Sequence, residues 1–282
     1  MNNLEEKRPW VKSYRLGPYK LARSLKPYPE KPLFDMLDQS AIKHPRSTAI
    51  DYLGQRINYS ELKKQTDSFS CALNKLGVKK SDKVATILPT CPQYIISNFA
   101  ILKTGAVHVP CSIMHKENEL EYEIGESGAE TVICLAEQAH KLQAIKGNTK
   151  LKHIIVTSLS DYTLNEGELQ TGNYNQHSFK NLIATHEPEP PAVAINASED
   201  LAYLAFTGGA TGSQGSNAYS LQPLFKCPAI NGLGHVQPRK IYPRQSFHLY
   251  WGSAFSFIRG FSSTVRHLLG SAPDLDPGPA RY

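Results

Sequence analysis

The sequence predicts an α/β fold: a mostly parallel sheet flanked by helices. Three observations predict it. Short apolar runs at residues 83–88, Thr131–Leu135 and His153–Thr157 are nearly uninterrupted, as strands covered on both faces are. Stretches of helical period lie between them. Gly77 and Gly105 then fall where those periods stop, in the position of helix-ending glycines.

The elements can be justified in order along residues 33–157. His44 and Pro45 mark the exit from a first helix into a strand at Thr48–Tyr52. Ser60 is a plausible N-cap for a helix that carries Leu62, Phe69, Leu73 and Leu76 on one face and stops at Gly77. Residues 83–88 form a buried strand. A helix from Pro92 to Thr104 follows, with Ile95, Ile96, Phe99 and Leu102, and ends at Gly105. A short strand is predicted at 106–109, and a helix at 117–125 with Leu120 and Ile124 four apart. Residues 158–199 are polar and hold a proline knot at Pro188, Pro190 and Pro191, which reads as a surface excursion. A strand from Asp200 to Phe206 then runs straight into Thr207-Gly-Gly-Ala-Thr-Gly212.

Composition excludes several classes. The chain has 282 residues, 40% hydrophobic and 20% charged, in the range of a folded globular protein. No signal-type apolar core occupies the charged N-terminus. Residues 84–102 carry no charge over nearly the length of a membrane span, but Pro89 and Pro92 break the run, and a strand, turn and helix fit it better than a transmembrane segment. Five cysteines (Cys71, Cys91, Cys111, Cys134, Cys227) lack metal-ligand spacing; reduced, buried thiols and a cytoplasmic location are expected. The net charge of +6 is concentrated at the end of the chain: residues 213–282 hold seven Lys/Arg against two acidic residues. These basic residues are scattered and follow no helical stripe, so nucleic acid is not an expected partner.

A strand that ends in a turn rich in glycine and threonine can hold phosphate, because the backbone approaches closely and amide and hydroxyl donors converge. By itself such a turn is better explained as a plain loop. The run Asp200-Leu-Ala-Tyr-Leu-Ala-Phe-Thr-Gly-Gly-Ala-Thr-Gly212, however, resembles the signature loop of the adenylate-forming (AMP-binding) superfamily. That superfamily includes acyl-CoA synthetases, luciferases and peptide-synthetase adenylation domains. The resemblance extends upstream in the same order. It takes in Tyr28-Pro-Glu-Lys-Pro-Leu-Phe-Asp-Met-Leu37, Tyr59-Ser-Glu-Leu62, Leu76-Gly-Val78, Asp82-Lys-Val-Ala85, Pro92-Gln-Tyr-Ile95, Leu102-Lys-Thr-Gly-Ala-Val107 and Glu119-Leu-Glu-Tyr122. Residues 28–212 are most similar to the long- or medium-chain fatty-acyl-CoA synthetase branch.

The resemblance implies an incomplete N-terminal domain of an adenylate-forming enzyme, preceded by an extension over 1–27. It implies ATP-dependent activation of a fatty acid to acyl-AMP and then acyl-CoA, with ATP, Mg2+ and coenzyme A as cofactors. Phosphate binding falls to Thr207, Gly208, Gly209, Ala210, Thr211 and Gly212, with hydroxyl donation from both threonines. The partner is a small-molecule fatty acid; homo-oligomerisation is left open. No catalytic residue is assigned and no metal-ligating side chain is expected.

The family pattern continues x-Pro-Lys-Gly, whereas this chain reads Ser213-Gln-Gly-Ser216 and has no Lys or Arg between Lys180 and Lys226. The family's later nucleotide motifs and C-terminal catalytic domain have no counterpart here. The chain itself is therefore expected to be inactive, and a catalytically silent nucleotide-binding or interaction protein is the alternative. From Ser213 to Tyr282 there is no Glu and no sustained period, which reads as a low-order, irregular tail. Its codons, read one nucleotide later, permit Pro-Lys-Gly-Val-Met-Leu-Thr-His, the family's continuation. The join of Asn217 and Ala218 permits only Met or Thr. An out-of-frame origin for 213–282 is the expectation, which the gene's codons would decide. On it, His235, His248, His267 and Trp251 are not site residues.

Overall fold

The computed structural model describes residues 30–163, 176–197, 199–207 and 215–220. Helix α1 (Asp35–Lys43) ends at His44 and leads into a separate antiparallel hairpin, β1 (Thr48–Tyr52) with β2 (Gln55–Asn58). Helix α2 (Tyr59–Lys75) begins one residue before the predicted Ser60 cap could act. Asn58 is the cap instead: its Oδ1 accepts from the Glu61 N–H at 2.9 Å, and the Glu61 carboxylate accepts from the Asn58 N–H at 3.1 Å. This reciprocal capping box satisfies two helix-end donors, which a lone Ser60 would not. At the other end Gly77 adopts φ +97°, the left-handed conformation that lets the Gly77 and Val78 N–H groups fold back onto the last turn.

The main sheet has seven strands in the order β7-β6-β5-β3-β4-β8-β9. They are β3 (Lys83–Ile87), β4 (Val107–Pro110), β5 (Thr131–Leu135), β6 (His153–Thr157), β7 (Gln176–Ser178), β8 (Leu201–Thr207) and β9 (Gly215–Ser220). Every neighbouring pair is parallel except β8 and β9. The helices between them are α3 (Pro92–Lys103), α4 (Glu117–Ser127), α5 (Ala139–Ile145) and α6 (Phe179–Thr185).

Alternation along the strands divides the core in two. Val84, Ile133 and Ile155 pack with α2, α3 and α6 through Phe69, Phe99 and Phe179. Ala85, Ile87, Val132, Cys134, Ile154 and Val156 face the other way, onto Leu120 and Ile124 of α4 and Leu142 and Ile145 of α5. Both faces of the parallel strands are thus covered, as their near-continuous apolar runs require. Residues 84–102, uncharged throughout, divide into β3, a turn and α3. Among the described residues no helix is long and apolar enough to cross a membrane.

Two predicted boundaries need correction. Residues 158–199 are more than a surface excursion: they supply edge strand β7 and helix α6, whose Phe179 is fully buried with its ring 4.5 Å from Phe69. With seven residues, α6 is too short to show a helical period. The proline-bearing stretch does run along the surface and then crosses the end of α3. There Gly105, at φ +75°, lies so close that an added Cβ would sit 2.9 Å from Val193. Lys80 fastens this crossing by donating to the Ala194 carbonyl at 2.8 Å and pairing with Asp200 at 2.7 Å, just where β8 begins. Strand β9 falls within the region that composition marks as low-order; six of its residues pair antiparallel with β8.

Candidate nucleotide-binding site

In open parallel sheets ligands bind beyond the carboxyl ends of the strands, where connections diverge to opposite sides. Here that edge is formed by the ends of β3, β4, β5 and β8. The chain passes from β3 to β4 on one side, then from β4 across to β5 on the other. Strand β8 sits beside β4 and ends at Thr207, the first residue of the predicted phosphate loop. Gly208, Gly209, Ala210, Thr211 and Gly212 lie outside the described residues, as does the Thr207 side chain.

What can be described is how β8 is held so that its end is fixed. Tyr203, His108 and Asn98 form a buried network beneath the site. The Tyr203 hydroxyl donates to Asn98 Oδ1 at 2.5 Å, and His108 Nδ1 lies 2.9 Å from the same oxygen. His108 Nε2 is 2.8 Å from the Thr86 hydroxyl. Burial pushes the His108 pKa down to about 3, so the ring is neutral. Nδ1 then donates to Asn98 and Nε2 accepts from Thr86. The network joins β8, α3, β4 and β3 at the register pair His108↔Tyr203. On the opposite face Phe206 is buried against α4, its ring 6.0 Å from Tyr122 in an edge-on contact. Strand β8 is therefore gripped at Tyr203 by a polar network on one face and at Phe206, the residue before Thr207, by an aromatic contact on the other.

The connection leaving β4 is anchored beside it. The Cys111 N–H donates to the Thr86 carbonyl at 2.9 Å. His115 Nδ1 lies 3.1 Å from the buried Glu123 carboxylate, and Lys141 donates to the His115 carbonyl at 2.9 Å. The Glu123 contact raises the His115 pKa above its usual value. Cys111 goes the other way from a reactive thiol: burial and the neighbouring Glu123 push its pKa well up. Burial likewise raises Cys91 to about 11 and Cys134 to about 12. These three and Cys71 are free thiols; Cys227 lies outside the described residues.

Sequence reasoning placed Thr207 at a strand end but did not find the network below it. The available signals were an amide, Asn98, inside an uncharged run, and one tyrosine inside an apolar strand. Among the described residues no three His, Cys, Asp or Glu side chains converge on a metal position.

Comparison with known proteins agrees with this geometry. Residues 37–214 match the family model described as AMP-binding enzyme. The long-chain-fatty-acid–CoA ligase of Escherichia coli O6:H1 is 27% identical over 223 residues, covering 73% of this chain and 39% of the relative. That of Bacillus subtilis strain 168 is 27% identical over 224 residues, covering 74% and 39%. The chain thus spans about two fifths of the length of these relatives. Among solved structures, an anthranilate CoA ligase in complex with anthranoyl-AMP superposes with TM-score 0.64 at 22% identity, over 74% of this chain and 38% of the other. A long-chain-fatty-acid-CoA ligase from Archaeoglobus fulgidus gives 0.61 at 21%, over 77% and 41%. At those identities the superpositions speak for the fold. With the family model matched over residues 37–214, more than half of the chain, the protein belongs to the AMP-binding enzyme family.

Proposed function

We propose that this chain is the nucleotide-gripping front part of an ATP-dependent fatty-acid-activating ligase, and that alone it does not turn over. The activity is transfer of adenylate to a carboxylate. A fatty-acid oxygen attacks the α-phosphorus, pyrophosphate leaves, and the thiol of coenzyme A then displaces AMP from the acyl carbon. The observation that carries the reading is the end of β8 at Thr207, on the carboxyl edge of a parallel sheet, within a family match that runs to residue 214. The names of the curated relatives support a fatty acid as the carboxylate.

This chain's own part is positioning. The Tyr203–Asn98–His108 network and the Phe206–Tyr122 contact hold β8, and Thr207 through Gly212 offer amide and hydroxyl donors to the β- and γ-phosphates. Mg2+ would arrive with the triphosphate and spread its charge. The loop lysine of the family pattern has no counterpart: Gly215 stands where it is expected, and no Lys or Arg lies between Lys180 and Lys226. A charge-assisted hydrogen bond contributes about 1.5–3 kcal/mol, so its loss weakens the phosphate grip by about tenfold or more. That absence also favours a second reading, a catalytically silent nucleotide-binding or interaction protein. The end of the family match at 214 supports an out-of-frame origin for the residues that follow. The free, buried thiols support a reducing, cytoplasmic setting.

Fatty-acid-dependent ATP–pyrophosphate exchange tests the reading. The purified chain is expected to give no exchange above the enzyme-free blank with medium- or long-chain acids. Robust exchange would refute the claim that the chain is inert alone.

A further inference from the structure

We propose that His153 and His177 form a two-imidazole site for a divalent first-row transition-metal ion of the Zn2+ or Cu2+ class. The site is independent of the nucleotide edge. It lies on the neighbouring parallel strands β6 and β7, where Ile155 pairs with His177, so that His153 stands diagonally opposite His177 on the same face. His153 Nδ1 is 3.3 Å from His177 Nε2, and the ring centroids are 5.5 Å apart at an interplanar angle of 46°. Two imidazole nitrogens bound at about 2.0–2.1 Å with a tetrahedral angle between them stand about 3.3–3.4 Å apart. The backbone therefore already sets the spacing that a bound cation needs.

A cation would take the place of the proton shared between the two rings, with His153 carrying its own proton on Nε2. Both side chains are half-exposed, so the ion can enter and water can complete its coordination. The charged groups around His153 are Lys152, Lys146 and Glu130; Lys152 pairs with Glu130 at 2.7 Å, which offsets part of the repulsion from the two lysines. Among the described residues no third His, Cys, Asp or Glu side chain joins the pair. The site is thus an open one of modest affinity, in which Cu2+ binds more tightly than Zn2+. Occupancy ties edge strand β7 to β6.

The test uses the full chain without an affinity tag, with ZnCl2 and CuCl2 as probes. Zn2+ is expected to slow diethyl pyrocarbonate modification of His153 and His177, mapped by mass spectrometry, while the exposed His44 and His140 react as before. His153→Gln and His177→Gln are each expected to weaken the tightest Cu2+ site by about tenfold or more, as loss of one of two nitrogen ligands requires. Modification rates at both histidines that ignore Zn2+ would overturn the proposal. So would a tightest Cu2+ site that survives both substitutions. Should either variant fail to fold, the protection measurement on the unaltered chain decides.

Discussion

Two histidines with opposite shifts give the chain opposite pH responses. His115 has a raised folded pKa because the Glu123 carboxylate holds its proton. Its contribution is fully present below the ordinary value of 6.5 and is lost as pH rises through the raised folded value. His115 is partly exposed, so water screens its contact with the buried Glu123 and the effect stays below about 1 kcal/mol. Urea midpoints of the parent should fall as pH rises above 6.5, and His115→Gln should flatten that dependence. An equal dependence in both would contradict the assignment. His108 behaves in reverse. Its folded pKa lies near 3, so its contribution is present above 6.5 and is lost as pH drops from there toward 3. The limiting slope is about 1.4 kcal/mol per pH unit. Acid should therefore destabilise the protein even while its carboxylates are still ionised. Stability that stays flat from pH 6.5 to 5 would contradict a neutral, network-bound His108.

At the scale of elements, the assembly of α1, α2 and α3 turns on a buried cation. Lys103, 4% exposed at its side chain, donates to Asp38 at 2.6 Å and to Asp67 at 2.7 Å; Lys63 pairs with the same two carboxylates. The Lys103 ammonium also lies 5.6 Å from the Phe34 ring centroid. Removing one partner of a buried pair leaves an uncompensated charge, which costs about 3–5 kcal/mol. Lys103→Met is expected at the low end of that range, about 3 kcal/mol, because Lys63 still reaches Asp67. Urea unfolding with an unchanged m-value measures it, and a loss under about 1 kcal/mol would contradict the account.

The same scale shows what was legible in the sequence. Helix α4 was, because Leu120 and Ile124 stand one turn apart and both are fully buried. Strands β5 and β6 were, because strands covered on both faces are apolar throughout. Strand β2, strand β7 and helix α6 were not. Each spans three to seven residues, too few for a period to emerge, and the burial of α6 comes from a partner distant in sequence: Phe179 packs on Phe69.

Across the whole molecule, the site was legible in part for a related reason. The glycine- and threonine-rich run following β8 is local and can be read residue by residue. The support beneath it is not, since Thr86, Asn98, His108 and Tyr203 meet only once the register of β3, β4 and β8 is set. That register also gives the loop its meaning, because it puts Thr207 at the carboxyl edge, where parallel sheets take their ligands. Hydrogen exchange of the backbone amides with and without millimolar MgATP tests this claim most directly. The account predicts slowed exchange in peptides spanning Thr207–Gly212, with α1, β1 and β2 unaffected. Exchange across those six residues that is indifferent to MgATP, or protection confined to other parts of the chain, would contradict it.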